Sequence, residues 1–208
     1  MAGHPIFAGI YDRLLDESER KGLAEMRAGL LAGATGRTLE LGAGTGINLE
    51  HYPPAVTELV LTEPDPHMVK RLRRRVEEKR PAADVEVAEV GAENLPFIEA
   101  SFDTVVSTLV FCTVDHPQAA VAGAHRVLKP GGTLLFIEHV RGEEGSGRAR
   151  WQDRLERPWG WISGGCHPNR DTGGLLAAAF NDVSVNSGEF PGSGTALVKP
   201  LISGTAVR

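Results

Sequence analysis

Glu40 closes a short apolar run, and Gly42, Gly44 and Gly46 follow it at every second position in TLELGAGTGINLEHYP. A backbone bare of side chains at alternate residues lets a flat ligand approach closely, and an acid beside it can hold a cation. A dinucleotide fingerprint requires Gly-x-Gly-x-x-Gly, and the position of its third glycine is here Ile47. Such a loop is poorly built for a pyrophosphate, which disfavours a dehydrogenase. Nineteen residues after Gly44, Glu63 ends a second apolar run in TELVLTEPD. A carboxylate there can accept from both hydroxyls of a ribose.

These residues together suit a nucleoside with a small charged tail. S-adenosylmethionine is such a molecule. Its methionyl carboxylate can take N–H groups of the loop Gly42, Ala43, Gly44, Thr45 and Gly46, and its ammonium can sit near Glu40. Pro64 follows Glu63 in the same crevice. In GAENLPF, Ala92 and Glu93 are expected beside the adenine, with Leu95 or Phe97 over its face. The strand end Thr108, Leu109, Phe111 and Cys112 is expected under the reactive methyl group. Each signal is weak alone, but the four occur in the order and spacing that one crevice requires.

The residues that would meet a methyl acceptor are less sharply marked. His139 follows Glu138 at the end of an apolar run and is the best-placed candidate base. Trp151, Trp159 and Trp161 fall within eleven residues, together with Pro158. They form either a structural cap or an apolar acceptor pocket that excludes water. Phe7 and Tyr11 supply a natural second wall. Cys112 and Cys166 are either pocket thiols or plain buried cysteines. Arg170 either pairs with Asp171 to hold the cap shut or meets an acceptor carboxylate. Asp115 reads as the cap of a following helix, and Cys166–His167 lacks the second ligand pair of a metal site.

The elements that must position these groups follow from periodicity. Residues 11–33 carry Leu14, Leu15, Leu23, Met26, Leu30 and Leu31 between charges and predict an amphipathic helix. Strands are expected at RTLEL, TELVLT, DVEVAEV, DTVVSTLVF and TLLFIEHV, with helices at HMVKRLRRRVEEKR, HPQAAVAGAHRVL and GGLLAAAF. SVNSGEF and TALVKPL predict a closing antiparallel pair. Strands alternating with helices imply an α/β fold, Rossmann-like and doubly wound, in which a mostly parallel seven-stranded sheet ends on an antiparallel last strand. The basic stretch KRLRRR sits beside Val69, Leu72 and Val76 and reads as a solvated helix face.

The 208 residues bound one domain, and a net charge of −5 gives no footprint for nucleic acid. The longest apolar run, TVVSTLVFCTV, has 11 residues, short of the about 18 that cross a bilayer. No transmembrane segment or signal peptide is expected. Two cysteines make a disulfide framework implausible, which points to a cytoplasmic protein. The partner implied is a small-molecule methyl acceptor, without nucleic acid and without a metal.

LELGAGTG, LTEPD, GAENLPF, SFDTVVSTLVF and HRVLKPGG together resemble the class I S-adenosylmethionine-dependent methyltransferases of the type 11 domain, over residues 37–140. In that family the third-strand loop often reads Asp-Ala-Glu. The aspartate position is Gly91 here, so Glu93 or a backbone carbonyl takes the adenine amino group, or the role goes unfilled. LVFCTV, FIEHV, WQDRLERPWGWISGGCHPNRDT and PGSGTALVKP more narrowly resemble the methyltransferase-like thiol S-methyltransferases and their bacterial relatives. Relatives of that group carry an N-terminal hydrophobic anchor that this sequence does not show. The resemblance implies methyl transfer to a small nucleophile such as a thiol, with a phospholipid or quinone acceptor, or a non-catalytic binding role, as alternatives. It divides the single domain into a helical cap (1–36), a donor-binding half (37–140) and an acceptor side with closing strands (141–208).

Overall fold

The computed structural model describes residues 12, 13, 15–192 and 195–208. Its centre is one sheet of seven strands: β1 (Gly36–Leu41), β2 (Val56–Thr62), β3 (Asp84–Ala88), β4 (Phe102–Thr108), β5 (Leu128–His139), β6 (Asp182–Glu189) and β7 (Pro200–Val207). Their order across the sheet is β3-β2-β1-β4-β5-β7-β6. Every neighbouring pair is parallel except the two that β7 makes. The expected doubly wound sheet with an antiparallel last strand is therefore the fold observed.

Helices cover both faces, as buried parallel strands require. Alternate residues of the central strands serve alternate faces. Leu39, Leu41, Val105, Leu134 and Phe136 pack against α3 (Pro117–Val127) and α5 (Thr172–Ala179) through Ala120, Ala124 and Leu176. Leu59, Leu61, Val106 and Leu135 pack on the other face with Leu31 of α1 (Ala24–Leu31) and Leu72 of α2 (Pro66–Lys79). Helix α2 starts cleanly because the Asp65 side chain accepts the His67 N–H at 2.7 Å and Pro66 needs no partner for a missing N–H. It buries Met68, Val69 and Leu72 while Lys70, Arg73 and Arg74 face solvent, so its basic stretch is the solvated face the sequence predicts.

Three expectations need correction. The N-terminal helix is broken by a kink within Glu19–Leu23, where Gly22 leaves the helical conformation at φ 130°. The tryptophan segment is not an irregular insertion, because α4 (Gly147–Ile162) runs through it, started by the Ser146 side chain accepting the Ala149 N–H. The final strand lies at Pro200–Val207 rather than at TALVKPL, since Thr195 to Val198 form a turn.

Candidate functional site

The carboxyl ends of β1, β2 and β4 meet at the glycine turn. Gly42, Gly44 and Gly46 all have positive φ, at 54°, 58° and 84°. Two also lack space for a side chain. A Cβ on Gly42 would stand 2.9 Å from Val110 Cγ2, and one on Gly46 2.8 Å from Leu72 Cδ1. The turn is thus shaped by packing beneath it as well as by what lies above it.

A small polar pocket opens beside the turn, lined by Arg27, Glu40, Gly42, Ala43, Ile47, Asn48 and Thr108. Arg27 is 3% exposed; its Nε donates to Glu19 at 3.0 Å and its Nη1 to Asn48 Oδ1 at 2.9 Å and Thr108 Oγ1 at 3.0 Å. Asn48 Nδ2 donates at 2.9 Å to both Glu40 Oε1 and Thr108 Oγ1, and the Tyr52 hydroxyl donates to Glu40 Oε2 at 2.7 Å. Burial raises the Glu40 carboxyl to about 7, although Tyr52, Asn48 and Arg27 all favour its ionised form. A carboxylate still that reluctant to ionise is short of positive charge. The pocket therefore presents a buried guanidinium and a cation-seeking carboxylate together, which fits the zwitterionic methionyl end of S-adenosylmethionine.

Arg27, Asn48 and Tyr52 escaped the sequence reading. The signal for Arg27 was present: Leu23, Arg27 and Leu31 share one helix face at four-residue spacing. A basic residue flanked by leucines on a core-facing stripe is a buried charge with a purpose.

Glu63 is 7% exposed and ties the crevice together: its Oε2 accepts the Gly44 N–H and its Oε1 the Asp65 N–H, both at 2.9 Å. Each oxygen keeps a further lone pair for a ligand hydroxyl. Thr45 spends its hydroxyl on Asp12 at 2.5 Å, and Asp12 pairs with Arg75 at 2.6 Å, which straps the N-terminal helix to α2 across the turn. Pro64 is exposed, and a Cβ on Gly91 would find Pro64 Cβ at 3.9 Å as its neighbour.

The third-strand loop departs from expectation. Ala92 and Leu95 are buried in the core under α3. Phe97 packs edge-on to Phe102, ring centroids 5.3 Å apart, at the amino end of β4 and so away from the crevice. Apolar rings gain more from the core than from an open rim. The Glu93 carboxylate accepts the N–H of His116, and it is His116, not Asp115, that occupies the cap position of α3.

On the acceptor side the strand end is strained and clamped. Leu109 has φ 63°, unusual for a branched residue, and its N–H donates to the Ile137 carbonyl at 2.7 Å. The Glu138 carboxylate, fully buried, accepts from the Ser107 hydroxyl and from the N–H groups of Val110, Phe111 and Cys112. Phe111 puts its ring into the core, so of this expected pocket residue the carbonyl remains, and that accepts from Arg170 Nη1 at 2.6 Å. Arg170 makes no ion pair with Asp171, whose side chain instead caps α5 by accepting the Gly174 N–H. Burial lowers the basicity of Arg170.

Cys112 and Cys166 are free thiols packed with Val198, Leu109 and Trp159. Trp151 is 57% exposed beneath the Arg154 guanidinium. His139 is 6% exposed against the Phe190 ring, its Nδ1 has no hydrogen-bond partner, and burial holds its basicity down at about 4. Tyr11 and Phe7 lie outside the described residues. Among the described residues no three His, Cys, Asp or Glu side chains gather as a metal site, and no helix is long and apolar enough to cross a membrane.

Comparison with known proteins identifies the family and the fold. A methyltransferase domain model matches residues 39–136. The thiol S-methyltransferase TMT1B of Homo sapiens is 36% identical over 201 residues, covering 95% of this chain and 81% of that protein. The human thiol S-methyltransferase TMT1A is 31% identical over 97% of this chain and 83% of its own length. Among solved structures, the N-methyltransferase NodS from Bradyrhizobium japonicum, in complex with S-adenosyl-L-homocysteine, superposes with a TM-score of 0.68 at 20% identity, covering 93% of this chain and 90% of that one.

Proposed function

The chain belongs to the class I S-adenosylmethionine-dependent methyltransferases, and from that premise we propose that its acceptor is a small lipophilic thiol. S-adenosylmethionine supplies a methyl group on a sulfonium, a carbon already activated for in-line attack. The protein has then to align donor and acceptor and to exclude water. Arg27 is assigned to the methionyl carboxylate and Glu40 to the ammonium. Gly42, Ala43, Gly44, Thr45 and Gly46 provide the backbone wall, and Glu63 the ribose acceptor with Pro64 at the rim. Because the Glu93 side chain is engaged by His116, the adenine amino group falls to a backbone carbonyl of the loop around Ala92. Thr108 and Leu109 flank the transferring carbon.

The observation that carries the acceptor reading is that no freely placed base faces the acceptor side. His139 is buried with its basicity held down at about 4, and Glu138, although burial raises its carboxyl to about 7, is fully buried with its oxygens held by four hydrogen bonds. An acceptor that must lose a proton needs then to lose it easily, and a thiol, with a pKa near about 8.5, needs the least help. The thiol S-methyltransferase relatives support the same choice. Cys112, Trp159 and the Phe111–Arg170 contact are assigned to the acceptor wall. The free, buried cysteines suit a cytoplasmic setting, and a net charge of −5 suits a small-molecule partner rather than nucleic acid. The chain is read as one domain, its cap (1–36) completing the donor pocket through Arg27.

The test is S-adenosylhomocysteine release over a panel of thiols, phenols, amines, quinones and phospholipids. Thiols are expected to turn over fastest, with rates that climb with pH until the thiol is ionised. Turnover confined to lipid amines or quinones overturns the thiol assignment. Tight donor binding with no release on any acceptor overturns catalysis itself.

A further inference from the structure

Helix α4 has two unlike faces. Inward, Ala149 is 1% exposed and Gln152 is fully buried. The Gln152 amide donates to the carbonyls of Val140, Pro168 and Leu197 and accepts the Gly142 N–H, so one side chain bolts the helix to three segments. Outward, Trp151, Arg154, Pro158, Trp161 and Ile162 recur at three- and four-residue spacing along one stripe. Trp151 is 57% exposed, Trp161 92% and Ile162 72%. No group inside the described fold explains why such side chains face water.

The charges beside that stripe are one-sided. Arg150, Arg154 and Arg157 are exposed and make no ion pair among the described residues. Both acids of the helix are engaged elsewhere, Asp153 by Arg141 and Asn169 and Glu156 by His167. Trp151 and Ile162 stand about 16 Å apart along the helix, both on its outer side. A partner protein would need a long acidic groove to receive it, whereas a flat anionic interface receives it directly. Indole rings settle at the headgroup level, and arginines bury their stems while their guanidinium groups stay among phosphates.

We propose that α4 is an interfacial docking helix, which lays Trp151, Trp161 and Ile162 into the headgroup region of an anionic lipid surface with Arg150, Arg154 and Arg157 on the lipid phosphates. The inward residue Trp159 packs against Cys112 and Cys166, so docking would turn the acceptor side toward a phase in which lipophilic acceptors concentrate. The docking itself holds whatever the acceptor is.

The experiment is co-sedimentation of the full chain with phosphatidylcholine vesicles containing about a third phosphatidylserine, against phosphatidylcholine alone. The chain is expected to bind the anionic vesicles, less so at high salt, with a blue shift of tryptophan fluorescence. Trp161→Ser with Ile162→Ser should lower the partition coefficient at least about tenfold, and Arg154→Ala with Arg157→Ala about 30-fold. Both double variants should keep the far-ultraviolet circular dichroism spectrum and S-adenosylmethionine affinity of the parent, which separates lost docking from lost folding. Failure of the parent to bind anionic vesicles overturns the proposal, as does equal binding by parent and variants. Self-association abolished by Trp161→Ser without vesicle binding also overturns it, and assigns the stripe to a second copy.

Discussion

On the donor side of the crevice Arg27, Glu40, Asn48, Tyr52 and Thr108 form one continuous hydrogen-bonded network. On the acceptor side His139 Nδ1 and Thr172 Oγ1 are buried with no hydrogen-bond partner among the described residues, and Trp159 packs with the two cysteines, Val198 and Leu109. A fixed polar network suits a ligand that never varies, since its geometry can be set in advance. Apolar walls with spare polar atoms suit a ligand recognised by shape and softness. On the proposed reading, one side of the molecule serves a single compound and the other a class of compounds.

The sharpest way to break that contrast is Arg27→Ala. It strands the Glu19 carboxylate and removes a donor from Asn48 and Thr108. A loss of roughly 3–5 kcal/mol in unfolding free energy by denaturant titration is expected; less than about 1 kcal/mol would mean the network is no scaffold. Glu63→Ala comes next. It removes the acceptor of the Gly44 and Asp65 N–H groups, and S-adenosylmethionine affinity by calorimetry should fall about 10- to 100-fold.

The pH dependence of donor binding should be smaller and has a definite sign. Burial holds the Glu40 carboxyl at about 7, above its ordinary 4.5. Between those values the folded chain keeps a proton that the unfolded chain releases, so Glu40 makes the unliganded protein less stable as pH rises through that window. The donor's ammonium favours the ionised form, so affinity runs the other way and should tighten about tenfold from about pH 6 to about pH 8. Glu40→Gln should flatten that profile, and a profile unchanged by the substitution would remove Glu40 from the donor pocket. The smallest effect belongs to the acceptor side. His139→Asn should lower kcat less than about tenfold, whereas loss of a working general base costs about 10²- to 10⁴-fold.

How much of this was legible in the sequence differs between the same two regions. That Glu40, the alternating glycines and Glu63 meet at neighbouring strand ends was legible because period and turn chemistry are local. Arg27 was hidden by its own helix, since an arginine among leucines reads first as amphipathic noise. Its partners, Asn48 and Thr108, lie 21 and 81 residues away. Helix α4 was missed because Pro158 and the glycines on either side of it argue against a helix locally. Gln152, which fixes it in place, acts entirely through tertiary contacts. Phe97 failed for a related reason: its apolar character promised a ligand face, and the core competed for it more strongly.

Strand β7 lies between β5 and β6 although β6 precedes it in the chain. In time rather than space, β6 emerges during synthesis with no strand to pair with until the 26 residues from Asp182 to Val207 have been made, roughly 1–5 s at ordinary elongation rates. For that interval β5 also presents an open edge, and the nascent chain carries two unpaired strands at once. Closure is by backbone insertion: a Cβ on Gly204 would fall 1.9 Å from the Ser184 carbonyl oxygen. Joining β7 to β6 thus brings a glycine-bearing strand into a slot with no room for a side chain at that point, so any side chain at Gly204 should hinder closure of the sheet.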